Sequence, residues 1–422
     1  MTEHILDDLA WRGLISITTG DEALREALGA GPITVYCGFD PTAPSLHIGN
    51  LVQILTVRRL QDAGHKPLLL VGGATGLIGD PKEQGDRVLN PVDLVHDWVE
   101  RIRAQIEPYM SFEGANAARM VNNFDWTKDL TAIELLRDVG KHFRLGTMIA
   151  KDTVARRLHS DEGISYTEFS YQVLQGMDYL ELNRRYGCTL QTGGSDQWGN
   201  LTAGTELVRK AEGQTVHALA TPLITKADGT KFGKTETGTV WLDPAMTSPY
   251  AFFQFWVNQA DADAIGYLKV FTFLSRERIA ELERAIADEP FKREAQRVLA
   301  FEVTALVHGP DAAAAVVHAS QAIFGRGDLA GLDSGTLDGV AQEVPSARVP
   351  AGSTVVDALV ATGIAESRSA ARRALTEGGA YVNNQRVDDE ERELVSADAL
   401  AGGWIVVRRG KKSVGLVQIS AS

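Results

Sequence analysis

The sequence predicts an α/β protein: a parallel sheet flanked by helices, then an all-helical stretch, then a small α+β module. Three observations carry that expectation. Residues 33–39 (ITVYCGF) and 67–73 (PLLLVGG) are apolar runs of strand length on either side of a helical pattern. From residue 247 to about 325 the apolar spacing is helical with no obvious strand, and residues 353–422 combine a short basic helix with hairpin signals.

The first strand, β-branched and aromatic, runs into a loop that holds Pro41 and Pro44. Residues 51–62 then place Leu51, Leu55 and Leu60 at helical spacing, and Gly64 stops the helix. A strand, a crossover helix and a second strand buried on both faces make a βαβ unit, hence a parallel sheet of Rossmann type. Ligands of such sheets sit beyond the carboxyl ends of the strands, where residues 36–40 and 72–80 fall. Residues 91–160 read as several helices with modest loops, and another helix begins near Ser165. The change of pattern after Thr247, Ser248 and Pro249 sets a boundary near residue 245. Residues 326–352 mix Gly, Asp, Pro and Ser without periodicity and read as a linker. The expected organisation is therefore a catalytic α/β domain with a helical insertion (1–245), a helical domain (246–325), a linker (326–352) and an α+β module (353–422).

Composition narrows the function classes. A chain of 422 residues that is 44% hydrophobic and 23% charged can bury a core in each of two or three domains. Apolar runs break well before the roughly 20 residues a membrane helix needs, and the acidic N-terminus MTEHILDDLAWRGL does not read as a secretory signal. A cytoplasmic protein without a membrane partner is expected. Cys37 and Cys188 stand far apart with no C-x-x-C pattern, which suggests neither a disulfide framework nor a zinc site. The net charge of −13 argues against nonspecific nucleic-acid coating. Residues 355–422 carry equal numbers of basic and acidic side chains, so the excess acid lies before them and any RNA contact is expected in the tail.

Four segments carry chemistry. In PTAPSLHIGN (41–50) the prolines stiffen a loop, Gly49 permits close backbone approach, and His47 opens a helix whose free N–H groups favour phosphate; His47 as a plain helix cap is the alternative. In KFGKT (231–235) Lys231 and Lys234 flank Gly233 after an Asp228-Gly229 turn, so two ammonium groups could bracket a triphosphate; a solvated surface turn is the alternative. Neither segment is a G-x-x-x-x-G-K-[ST] loop. Tyr171, Gln175 and Asp178 recur at i, i+4 and i+7, so one helix face offers a phenol, an amide and a carboxylate. In LQTGGSDQWGN (190–200) paired glycines precede Asp196 and Gln197 at the end of a strand, a place suited to a ribose or an amino acid.

In their order and surroundings, YCGFDPTAPSLHIGN, GGATGLIGDP, SYTEFSYQVLQGMDYLEL, LQTGGSDQWGN and DGTKFGKT resemble the class I aminoacyl-tRNA synthetases, and bacterial tyrosyl-tRNA synthetases in particular, over almost the whole chain. PTAPSLHIGN matches the HIGH-type motif and KFGKT the KMSKS-type motif. The resemblance implies that L-tyrosine and ATP form tyrosyl-adenylate and pyrophosphate, and that tyrosine then passes to the terminal ribose of tRNA(Tyr). It assigns the tyrosine hydroxyl to Tyr36 and Asp178, the ammonium to Asp80, Tyr171 and Gln175, and the carboxylate to Gln197. It assigns the phosphates to Thr42, His47, Lys231, Lys234 and Thr235, with Arg87 as a further candidate. ATP contacts also fall on Asp40, Gly49, Asn50, Gly194 and Asp196. Mg²⁺ is implied only as the ion carried with ATP, with no metal bound by the protein itself, and a homodimer is implied. Asn50 stands where many relatives have a second histidine, and Met177 beside Asp178 has no assigned role. The tail, with SAARRALT (369–376) and YVNNQRV (381–387), resembles a small ribosomal-protein-like RNA-binding module. Its candidate tRNA contacts are Arg368, Arg372, Arg373, Arg408, Arg409, Lys411 and Lys412. A tryptophan-specific sister enzyme, a small-molecule nucleotidyltransferase and a silent RNA-binding paralogue remain as competing readings.

Overall fold

The computed structural model describes residues 3–81, 89–160, 163–230, 232–235 and 238–420, the side chains of 152, 153, 234 and 235 excepted. The chain forms two compact units, Met1–Asp243 with Gly266–Leu274, and Pro244–Ile265 with Ser275–Ser422.

The first unit is built on six strands: β1 (Ile17–Thr18), β2 (Thr34–Phe39), β3 (Lys66–Val71), β4 (Arg119–Asn122), β5 (Cys188–Gly194) and β6 (His217–Thr221), in the order β1-β6-β5-β2-β3-β4. All neighbours run parallel except the short edge strand β1. From β2 the chain winds through β3 to β4 on one side, while β5 and β6 lie on the other. The switch point, where α/β sheets bind ligands, therefore lies between β2 and β5.

Four helices cover this sheet: α1 (Ile48–Asp62), α2 (Val92–Ile106), α3 (Tyr166–Tyr186) and α4 (Trp198–Glu212). The expected crossover helix is α1, and it buries Leu51, Leu55 and Leu60 together with Ile54 and Val57. Helix α2 buries Val95, Val99, Ile102 and Ile106, a single apolar stripe. The Ser165 hydroxyl accepts from the Glu168 N–H to start α3, and Gly187 at φ 62° ends it in the left-handed region. Leu174, Met177 and Leu180 of α3 pack with Tyr36, Leu68 and Val121 of the sheet in one core. Residues 91–160 are not helical throughout, because RMVN forms β4. That stretch is four residues long with no alternation of its own, and its pairing with β3 makes it a strand. A two-stranded ribbon, β7 (Lys234–Thr235) and β8 (Gly238–Thr239), completes the first unit.

The second unit holds α5 (Pro249–Val257), α7 (Arg276–Asp288), α8 (Glu294–His308), α9 (Pro310–Ala322) and α10 (Ser334–Glu343), and α6 (Asp261–Phe271) belongs to the first unit from Gly266 onward. It also holds α11 (Val355–Ala361), α12 (Arg368–Thr376) and a five-stranded sheet ordered β11-β10-β12-β13-β9. These strands are β9 (Ser346–Val349), β10 (Ala380–Val382), β11 (Gln385–Val387), β12 (Trp404–Arg409) and β13 (Ser413–Ile419). Asn383 and Asn384, both at positive φ, turn β10 into β11.

Residues 326–352, expected as a linker, are structured. Leu337 and Val340 of α10 are fully buried, and β9 pairs in parallel with β13. Gly339 permits this packing, since a Cβ there would lie 3.0 Å from the Ser248 hydroxyl. The Trp404 indole N–H donates to Asp338 at 2.7 Å, and the Asn384 amide donates to the last carbonyl of α9 at 2.6 Å. The helical layer and the α+β module thus form one unit. No helix among the described residues is long and apolar enough to cross a membrane.

Candidate active site

Tyr36 sits in β2 opposite Leu68 and Gln191, and its side chain is 1% exposed. Its hydroxyl is buried without a hydrogen-bond partner, as is the Oε1 of Gln175 on α3. Such orphaned polar atoms are uncommon in a folded interior. One turn along α3, the Asp178 carboxylate is 2% exposed and held on both oxygens, by the Asn123 amide (3.0 Å) and the Trp126 indole N–H (3.0 Å). Burial pushes this carboxyl up to about 7, against the pull of those two donors. Burial, and after it the Asp178 charge, raise the Tyr36 phenol.

The third residue of the face, Tyr171, donates to Asp40 Oδ2 at 2.7 Å, while Thr75 donates to Asp40 Oδ1 at 2.6 Å. Asn123 also donates to the Thr75 hydroxyl at 2.9 Å, which joins Asp40, Thr75, Asn123 and Asp178 in one chain of bonds. Gly72 makes room for it, since a Cβ there would lie 2.1 Å from Asp40 Oδ1. Asp80, after β3, accepts from Gln197 at 2.9 Å and Asn200 at 3.2 Å, and Asn200 also donates to Gln197 at 2.7 Å. The Lys151 ammonium donates to Asn200 Oδ1, and burial lowers its pKa against the opposing pull of Asp80. The result gathers three carboxylates, Asp40, Asp80 and Asp178, with an orphaned phenol and amide, an arrangement suited to a cation joined to a hydrogen-bonding apolar body.

The first segment of the expected split nucleotide site meets residues 240–242, which follow the second, through the backbone. His47 bridges Trp241 in antiparallel fashion, the Ile48 N–H donates to the Val240 carbonyl at 3.2 Å, and the Leu242 N–H donates to the Leu46 carbonyl at 2.9 Å. His47 is the N-cap of α1: its Nδ1 accepts from the Gly49 N–H at 3.0 Å, and Asn50 Oδ1 accepts from the His47 N–H at 3.1 Å. The cap reading of His47 is therefore realised, and Asn50 serves the same cap from the other end. Thr42 is exposed, with its N–H donating to the Asp40 carbonyl at 2.9 Å. Gly194 ends β5 and Asp196 follows it, and a Cβ at Gly194 would lie 2.4 Å from Asp196 Oδ1. Lys231 and Arg87 lie outside the described residues, and Lys234 and Thr235 are placed by their backbone in β7.

Sequence reasoning missed Thr75, Asn123, Trp126, Lys151 and Asn200. Each acts by holding another polar side chain, and no local pattern marks such a partner. Met177 belongs to the apolar core beside Tyr36. Cys37 and Cys188 are both buried and free, and burial pushes the Cys37 thiol up to about 12. Among the described residues no group of three or more His, Cys, Asp or Glu could hold a metal ion.

In the second unit Arg408 is a correction. It is 7% exposed, lies 4.1 Å over the Tyr381 ring and donates to the Gly410 carbonyl at 2.9 Å, so it offers no surface cation. Its side chain turns inward from β12, whereas the next residue, Arg409, turns out. Arg368 pairs with Asp357, and Arg372 lies 3.3 Å from Glu390. Arg373, Arg409, Lys411 and Lys412 are exposed.

Residues 29–325 match the profile of the class I tRNA synthetases (W and Y). The chain belongs to that family. Residues 336–417 match the C-terminal domain of tyrosine--tRNA ligases. Within the family, the chain is 61% identical over 417 residues to the tyrosine--tRNA ligase of Streptomyces avermitilis, covering 99% of each chain. It is 57% identical over 422 residues to that of Mycobacterium bovis, again covering 99% of each. Among solved structures, a C-terminally truncated mitochondrial tyrosyl-tRNA synthetase from Coccidioides posadasii aligns with a TM-score of 0.66 and 32% identity, over 75% of this chain and 91% of that one. A tyrosyl-tRNA synthetase from Archaeoglobus fulgidus, at 13% identity and a TM-score of 0.55, shares the fold.

Proposed function

We infer that this class I synthetase is a tyrosine--tRNA ligase. The observation that carries the choice of amino acid is the buried pair Tyr36 and Asp178: an unpartnered phenol, and a carboxylate already oriented by Asn123 and Trp126. A tyrosine hydroxyl can donate to Asp178 and accept from Tyr36. Phenylalanine would leave the Tyr36 hydroxyl unpaired and give Asp178 no further donor, a form of rejection for which tyrosyl-tRNA synthetases are themselves the standard case. The tyrosine ammonium has Asp80, Tyr171 and the free Oε1 of Gln175 to meet it, and Gln197 lies beside Asp80 for the carboxylate.

In the reaction a carboxylate oxygen of tyrosine attacks the α-phosphorus of ATP, and the bond to pyrophosphate breaks. The 3′-terminal ribose of tRNA(Tyr) then attacks the acyl carbon of tyrosyl-adenylate and AMP leaves. Neither step needs a protein nucleophile, so the chain acts by positioning and by stabilising charge. Thr42, His47, Lys231, Lys234 and Thr235 meet the β- and γ-phosphates. Asp40, Gly49, Asn50, Gly194 and Asp196 receive the rest of ATP. Mg²⁺ enters with the nucleotide and neutralises phosphate charge. Arg368, Arg372, Arg373, Arg409, Lys411 and Lys412 offer cations to tRNA, Arg368 and Arg372 at the expense of an ion pair. Exposed Ile133, Leu136 and Leu145 support a homodimer, and sedimentation tests that assembly.

The deciding experiment is exchange of pyrophosphate into ATP with each amino acid in turn. Tyrosine-dependent exchange is expected, and exchange with tryptophan but not tyrosine would overturn the assignment.

A further inference from the structure

The polar face of α3 that begins at Tyr171 does not end at Asp178. Two turns further along the same stripe stands Arg185. Its guanidinium carbon lies 5.4 Å from the centre of the Trp126 ring, and Trp126 is the residue whose indole N–H donates to Asp178 Oδ1 at 3.0 Å. One indole thus spans two turns of α3, with its N–H on the carboxylate and its ring beneath the cation.

The two donors to Asp178 are secured differently. Asn123 is fully buried and bonded at both ends of its amide: its Oδ1 accepts from the Ala74 N–H at 2.7 Å, and its Nδ2 donates to Thr75 as well as to Asp178. The Trp126 indole has a single polar atom, which Asp178 takes, so only packing fixes the ring. Trp126 rides on one helical turn after β4, Phe124–Thr127, which is too short to be rigid by itself. Helix α3 runs for 21 residues, and Arg185 is fastened to it one turn back, where Glu181 Oε2 accepts from the Arg185 Nε at 2.9 Å. Glu181 also pairs with Arg184 at 3.2 Å, which anchors the carboxylate that anchors Arg185. A cation over an aromatic face is drawn to the ring and pulls its electrons away from the N–H. The contact therefore both places the indole and strengthens its bond to Asp178.

We propose that Arg185 is a positioning residue for amino-acid selection: by lying over Trp126 it holds the N–H that keeps the Asp178 carboxylate aimed at a substrate hydroxyl. The proposal rests on the reading that Asp178 receives the tyrosine hydroxyl. Arg185 is exposed and acts through the indole, not on the substrate. Its loss should therefore weaken the use of tyrosine more than that of phenylalanine, which offers Asp178 no hydroxyl, and leave the KM for ATP unchanged.

The test measures pyrophosphate exchange with tyrosine and with phenylalanine for Arg185→Met, Arg185→Lys, Trp126→Phe, the Trp126→Phe/Arg185→Met double variant and Asp178→Asn of the full chain. Arg185→Met, which keeps the stem and removes the charge, should shrink the ratio of kcat/KM values for tyrosine over phenylalanine by about 2- to 5-fold, the scale of a cation–aromatic contact at an exposed site. Arg185→Lys, which keeps a cation, should recover at least half of that loss. On the Trp126→Phe background, where no N–H remains to be held, Arg185→Met should change the ratio no further, since both act through one group. The comparison of Arg185→Met with Arg185→Lys decides the matter by itself if Trp126→Phe folds poorly. An unchanged ratio in Arg185→Met, equal losses with both amino acids, or losses that multiply in the double variant would overturn the positioning role, while a reduced ratio in Asp178→Asn would leave the tyrosine reading standing. An unaltered ratio in Asp178→Asn would overturn that reading, and this inference with it.

Discussion

The proposed amino-acid site and the proposed phosphate edge lie in the same unit and are built in opposite ways. In the amino-acid site, side chains hold other side chains: Asn123 and Trp126 hold Asp178, Thr75 and Tyr171 hold Asp40, and Gln197 and Asn200 hold Asp80. At the phosphate edge the backbone does the holding, through the His47–Trp241 bridge, the cap of α1 and the close pass of Gly233 over Ile48. The difference follows from what each is proposed to bind. A hydroxyl is recognised by a fixed direction in a dry site, where an unpaired polar group is costly. A triphosphate is recognised by charge, which reaches further and tolerates motion, so a firm backbone carrying long side chains suffices.

That contrast can be broken by mutation. The largest effect is expected at the phosphate edge: Lys234→Ala should reduce the rate of pyrophosphate exchange by about 100- to 1,000-fold, as for other groups that meet charge only in the transition state. An unchanged rate would make KFGKT a surface turn. Next, Asp178→Asn should shrink the preference for tyrosine over phenylalanine by about 10- to 100-fold, the scale of one hydrogen bond to a charged group. The ratio of kcat/KM values for the two amino acids reads this directly, and an unaltered ratio would relocate specificity elsewhere.

The pocket should also be the pH-sensitive half. The Asp178 carboxyl is raised by burial to about 7 in the folded chain without ligand. Between the usual carboxylate range and pH 7 the folded state therefore binds the extra proton, so this group favours folding at low pH and its contribution falls as pH rises to 7. The carboxylate that accepts from tyrosine forms over the same range in the opposite sense. Preference for tyrosine should thus rise with pH and level off above 7, and Asp178→Asn should flatten the profile.

Smaller effects are expected from exposed cations and caps. Replacing Arg373, Lys411 or Lys412 by Ala should leave pyrophosphate exchange intact, weaken tRNA charging, and reduce the salt slope of tRNA binding by about one unit each if a phosphate contact is lost. Loss of exchange instead would show that these residues serve the fold. Asn50→Ala, which removes half of the α1 cap, should lower stability by about 1 kcal/mol in denaturant unfolding. A larger loss of exchange than of stability would show that the Asn50 amide also meets ATP.

Much of this molecule is legible in its sequence because local periodicity is physical. Leu51, Leu55 and Leu60 face a core whenever those residues form a helix, and Tyr171, Gln175 and Asp178 share a face for the same geometric reason. Asn383 and Asn384 mark a turn because they tolerate positive φ. These features need no knowledge of distant residues. Their partners do. Nothing local tells that Trp126 donates to Asp178 or that Asn123 joins Thr75 to it, since the bonds span roughly fifty residues of chain. Nor does periodicity reveal that RMVN becomes an edge strand, that Arg408 turns inward onto Tyr381, or that residues 334–349 join a layer instead of linking two. In each case the outcome depends on which surface the rest of the fold presents, and only tertiary packing supplies that surface. The sequence alone determined the chemistry on offer, a phenol, an amide, carboxylates and paired lysines at telling positions. The tertiary structure decided which of those groups are buried, which are held, and which are left with a hydrogen bond still to make.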